Sequence, residues 1–166
     1  MHTPPGGRGP GTYALVLCAP HEADVVVGRL GKLHVRPGYY VYVGSALGPG
    51  GLAARLRHHL TPARTPHWHI DYLRRAVAIE RIWYAIGGAR QEHAWARVLE
   101  HTPGSILPMP GFGASDCACA AHLFYFESAP SFSYLVTNVA AYTPDVRCSP
   151  DNAPPEETQH ETGITL

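Results

Sequence analysis

The sequence predicts an α+β fold, a small antiparallel sheet flanked by helices. Three observations carry this reading. Residues 11–43 hold three apolar, β-rich stretches joined by turns too short for crossover helices. Residues 52–60 and 90–101 carry apolar positions at helical spacing. Residues 77–86 between them alternate as a strand does. A chain of 166 residues with 45% hydrophobic residues is the size of one domain with a real core.

Taken in order, residues 1–10 are rich in Gly and Pro and read as a flexible lead-in. Residues 11–19, GTYALVLCA, alternate Tyr13, Leu15 and Leu17 with Ala14, Val16 and Cys18, the pattern of a strand buried on both faces. Pro20 ends it. Val25–Val27 and Leu33–Val35 around two glycines predict a second strand or hairpin. Pro37-Gly38 marks a turn, and residues 39–43 form the next strand. Residues 44–51 are a glycine-rich turn into a helix at 52–60, with Leu52, Leu56 and Leu60 as its core stripe. A strand, a Gly turn and a basic helix together can offer backbone N–H groups and cations to an anion.

A helix begins near His67, a strand covers 77–86 and a helix covers 90–101. A short strand is expected at 122–126. The domain is expected to span 11–128, with room for one short extra element at 129–143 and a disordered tail over 144–166.

Net charge is zero, but Lys and Arg outnumber Asp and Glu by 12 to 6 over residues 1–100 and are outnumbered 1 to 7 after that. The folded part is therefore basic, which suits a polyanionic partner. No apolar run approaches the roughly 18 residues a membrane helix needs, and no signal-peptide core is present. Reduced thiols and a cytoplasmic location are expected, with no membrane partner.

Arg55 and His59 share one flank of the first helix, while Arg57 and His58 point further toward solvent. Glu92 falls on the apolar stripe of the later helix with Trp95, Ala96 and Leu99. A carboxylate aimed at a core is costly unless paired, protonated or metal-bound. His67 and Asp71 lie four apart, as a metal pair or as a structural anchor. Cys117, Cys119 and His122 have zinc-type donors, but no fourth ligand follows from the spacing, so zinc is not expected there.

Gly11-Thr12-Tyr13 opens the first strand and Tyr42-Val43-Gly44 closes the third, with Arg55 and Glu92 on later helices. This set resembles the GIY-YIG nuclease superfamily. The stretches GYYVYVGSALGPGGLAARL, HWHIDYL and GFGASDC with HLF resemble, more narrowly, a small family of uncharacterised GIY-YIG-like proteins, some archaeal members of which are fused to endonuclease III-type repair enzymes. The resemblance implies a metal-dependent endonuclease that hydrolyses phosphodiester bonds in nucleic acid, with DNA favoured over RNA, a role in DNA repair and a repair-protein partner. It implies catalytic roles for Tyr13, Tyr42, Arg55, His59 and Glu92, with Glu92 holding Mg²⁺ or Mn²⁺. It implies substrate contacts at Gly44, Ser45, Arg57 and His58. Thr12 and Val43 replace the motif isoleucines, and the late asparagine of many active members has no clear counterpart; Asp116 or His122 fills that space in this reading. The competing expectation is a non-catalytic nucleic-acid-binding module on a degenerate nuclease fold.

Overall fold

The computed structural model describes residues 6–61 and 63–149. Its elements are β1 (Gly11–Ala19), β2 (Ala23–Val27), a 3₁₀ turn (Gly28–Leu30), β3 (Gly31–Val35) and β4 (Gly38–Ala46). Then follow α1 (Gly51–Leu60), α2 (His69–Leu73), β5 (Ala78–Ile86) and α3 (Glu92–His101). The last three elements are β6 (Leu123–Phe126), α4 (Phe132–Val139) and β7 (Arg147–Cys148).

Five strands form one antiparallel sheet in the order β6-β4-β1-β5-β7. β1 is central because it is buried on both faces, as its unbroken apolar run requires. Its Tyr13, Leu15 and Leu17 face α1, α2 and the β2–β3 hairpin, where Leu52, Leu56, Ile70 and Leu73 are fully buried. Its Ala14 and Val16 face α3 and α4, with Trp83, Trp95 and Leu135. Each leucine buried this way contributes about 1.5–3 kcal/mol. The α+β architecture is thus as expected, with helices on both faces of the sheet.

Four details depart from the sequence reading. The hairpin is not part of the main sheet: among the described residues β2 and β3 pair only with each other, and β4 pairs directly with β1. The short extra element allowed for at 129–143 is α4, and it belongs to the domain expected to end at 128, because it buries Leu135 and Val139 against the α3 side of the sheet. Part of the expected tail is ordered, since β7 pairs Arg147 and Cys148 with β5; residues 150–166 lie outside the described residues. Leu60, assigned to the core stripe, is 41% exposed, because α1 ends there and the chain turns away.

The lead-in also has a structural task. The Gly9 and Gly7 carbonyls accept the N–H groups of Leu52 and Ala53 at 2.9 and 2.7 Å. Gly51 and Ala54 N–H donate to the Gly48 and Gly50 carbonyls. The first-turn donors of α1 are therefore all taken, and this helix start has no backbone N–H left for an anion. The anion-cradle expectation fails on that point; what remains of it is the cationic flank of α1.

The sheet edge places the site. On β4, β6 pairs with Tyr39–Tyr42, and the Val43 N–H then donates to the His122 carbonyl. Beyond it the chain before β6 veers off, leaving the outer edge of residues 44–46 without a strand among the described residues. The opening so formed is walled by α1, the loop before α2, the start of α3 and residues 113–122.

Candidate functional site

The cleft at this edge has a volume of about 440 Å³. Tyr13 of β1, Tyr42 and Gly44 of β4, Arg55 of α1 and Glu92 of α3 all line it. These residues lie far apart in sequence and come from four elements, so the fold alone assembles them.

Tyr13 is fully buried, and its hydroxyl lies 2.7 Å from Nε2 of His59, itself only 3% exposed. Burial, with Tyr42 adding to it, holds the Tyr13 phenol well above its usual value. Burial also depresses His59 to about 3, helped by the charges of His58 and Arg55. The pair is thus neutral on both sides at neutral pH. With the phenol donating to Nε2, the His59 proton sits on Nδ1, which has no hydrogen-bond partner among the described residues. Tyr42 is also pushed up by burial, and its ring meets His59 edge-on at 6.1 Å without a hydrogen bond between them. Tyr13 therefore has a proton acceptor behind it and Tyr42 does not.

Gly44 is needed here for space. A Cβ at this position would run into the Tyr13 hydroxyl and the ring carbon that bears it. Gly113, with φ +70°, lies opposite, where a Cβ would press on Tyr42 at 3.0 Å. The next residue on β4, Ser45, also lines the cleft, its Oγ buried and without a partner among the described residues.

Arg55 is held in place by a side chain to which the sequence reading gave no role. Its guanidinium carbon stands 4.3 Å from the centre of the Trp68 ring, a cation–π contact that restrains the fork. Trp68 is oriented in turn by Asp71, whose Oδ2 accepts the N–H groups of Trp68 and His67 at 2.9 and 2.8 Å. Asp71 Oδ1 meets His58 Nε2 at 3.0 Å. Although burial opposes it, these bonds hold the Asp71 carboxyl below its ordinary value. Asp71 is thus an anchor for the Trp68 loop, joined to His58 and not to the His67 side chain. His69 serves the same loop from the other side, its Nδ1 accepting the Gly113 N–H at 2.9 Å.

Glu92 is 8% exposed, as its place on the apolar stripe implies. Arg90 Nη1 donates to its Oε1 at 2.9 Å, and His93 Nε2 lies 3.4 Å from the same oxygen. Both contacts fall on Oε1, so Oε2 is left for a ligand. Asp116 is the second carboxylate lining the cleft. Two hard oxygen donors around an open space fit Mg²⁺ or Mn²⁺ completed by water and phosphate.

The structure thus brings Tyr13, Tyr42, Gly44, Ser45, Arg55 and Glu92 to one cleft, with His59 directly behind Tyr13. It does not bring Arg57 there: that residue is exposed on the far side of α1. His58 opens on a smaller neighbouring depression with Pro49 and Ala54, and its ring is spent on Asp71. Both candidates for the missing asparagine, Asp116 and His122, line the cleft. Sequence reasoning missed Trp68, His69 and Arg90. The Trp-His-Ile-Asp spacing was the available signal for Trp68, since an acid three residues on caps a helix start. The expectation that the Cys117, Cys119 and His122 group lacks a fourth donor is also corrected: His93 of α3 joins it in space.

A family model described as "Domain of unknown function DUF123" matches residues 12–143. The chain belongs to that family. The match runs from the second residue of β1 to just past α4 and so includes every cleft residue named above. No curated protein and no solved structure matches the chain. Among the described residues no helix is long and apolar enough to cross a membrane.

Proposed function

We propose that this cleft hydrolyses phosphodiester bonds in nucleic acid, with DNA favoured, in the manner of the GIY-YIG nucleases. The observation that supports it most is the 2.7 Å bond between Tyr13 and His59, set in one cleft with Arg55 and Glu92. Arg55, stiffened by Trp68, presents a planar fork that suits two phosphate oxygens and the charge they gain in the transition state. Tyr13 takes a proton from the attacking water as it passes its own to His59 Nε2. The chain therefore needs no phenolate at rest, which its burial forbids. An anionic phosphate in the cleft raises the basicity of His59 when the proton must move. Glu92 and Asp116 would hold a divalent ion, which supplies charge neutralisation at the phosphate when bound. Glu92 also keeps Arg90 at the rim as a further phosphate contact.

The binding-module reading draws on one observation, that Glu92 already spends one oxygen on Arg90. Cleavage of labelled DNA and RNA structures with Mg²⁺ or Mn²⁺ separates the two readings. The expected outcome is metal-dependent cutting by the wild type, lowered about 10²–10³-fold in both Arg55→Ala and Glu92→Ala, with Tm little changed. Salt-sensitive binding with no cutting under either metal, unaffected by Glu92→Ala, sinks the nuclease reading in favour of the binding module.

A further inference from the structure

We propose that His93, Cys117, Cys119 and His122 form a structural zinc site that pins the loop before β6 to the start of α3. One ligand atom from each of the four residues lies within 4.8 Å of every other. Cys117 Sγ and His122 Nε2 are 3.5 Å apart, and the His93 and His122 rings are 5.7 Å apart. Zinc bonds of about 2.0 Å to nitrogen and 2.3 Å to sulfur give tetrahedral edges of about 3.3–3.8 Å. A contraction of roughly 1–1.5 Å at most in the longest edge therefore closes the group on an ion. Two thiolates and two neutral imidazoles are a common closed set for structural zinc, and they leave the site with no net charge.

Simple packing does not account for the cluster. His93, Cys117 and Cys119 are only half-buried, and a cavity of about 340 Å³ separates residues 118–121 from α3 beside them. Residues 111–122 hold no helix or strand; the Gly111 N–H to Ala120 and His122 N–H to Phe112 bonds close the base of the loop, and its tip, with Ser115, Asp116 and Ala118 exposed, is the part an ion would fix. The same loop carries Gly113, Ser115 and Asp116 into the cleft, and His93 follows Glu92 on α3. The zinc site thus stands next to the cleft and sets the distance between its two walls. It rests on its own donor set and does not depend on the cleft being a nuclease.

Binding is a ligand exchange without redox change: two thiols lose their protons, two Zn–S and two Zn–N bonds form, and the zinc aquo ion releases its water. Tag-free protein grown with added zinc is to be assayed by elemental analysis. About one zinc per chain is expected, falling at least tenfold in Cys117→Ser/Cys119→Ser and staying at about one in Glu92→Gln. Apo protein, reduced and titrated with Co²⁺, is expected to show thiolate charge-transfer and tetrahedral ligand-field absorption and to release about two protons per ion. Should the double variant fail to fold, His93→Ala on the surface of α3 serves instead, with cobalt affinity expected to fall at least about tenfold. Absence of both zinc and the cobalt spectrum overturns the proposal. So does a Cys117–Cys119 disulfide in freshly purified protein, or zinc that departs with Glu92→Gln and survives the cysteine changes.

Discussion

His59 combines burial, a single hydrogen bond and a depressed basicity, and these have a thermodynamic consequence. Unfolded, its imidazole takes up a proton below about pH 6.5; folded, it stays neutral down to about 3. Between those values the unfolded chain binds the extra proton, so stability falls as the pH falls, by up to about 1.4 kcal/mol per pH unit from this group. Urea titrations from pH 7 to pH 4 are expected to show a shallower loss for His59→Gln than for wild type. Equal slopes would mean that His59 is not buried as described. At Gly44 the expectation is steric. Gly44→Ala must push the Tyr13 ring off its bond to His59, so it is expected to cost about 1–3 kcal/mol and to abolish the relay. A normal Tm with normal turnover would refute the close approach. Tyr13, Arg55 and Glu92 were legible in the sequence because their chemistry clashes with their setting or repeats a family spacing. Trp68 and Arg90 were not, because an aromatic and an arginine in a loop look alike whether they face solvent or a phosphate.

Whole elements repeat that lesson in terms of pairing. β1, β4, β5 and both long helices could be read from their own residues, since period 2 and period 3.6 are local properties. The separation of the β2–β3 hairpin from the main sheet could not, because it depends on which edge reaches β1 first. α4 was legible only as room for a short element at 129–143, because the use of its apolar residues appears only where α3 lies alongside. If α4 is integral, Leu135→Ala is expected to cost about 2–5 kcal/mol while unfolding stays a single transition. A loss under about 0.5 kcal/mol would return residues 129–143 to the status of an appendage.

At the scale of the molecule, the cationic flank of α1, the open end of the β4 edge and the cleft coincide, while the acidic residues after position 100 are spread along the later part of the chain. That arrangement predicts steep salt dependence for any nucleic-acid complex, eased by about one counterion for each of Arg55 and Arg90 replaced by alanine. A slope unchanged by both replacements would move the phosphate path away from the cleft. The order of the chain outside 11–128 was legible only as composition, and composition does not record backbone carbonyls. Gly7 and Gly9 make the omission concrete. A shortened version beginning at residue 12, where family similarity starts, would remove the acceptors of Leu52 and Ala53, and of Gly87 through Pro10. Each lost bond is worth about 1 kcal/mol. The helix bearing Arg55 would fray from its first turn, and a truncated protein found inactive would owe that to where it was cut rather than to its chemistry.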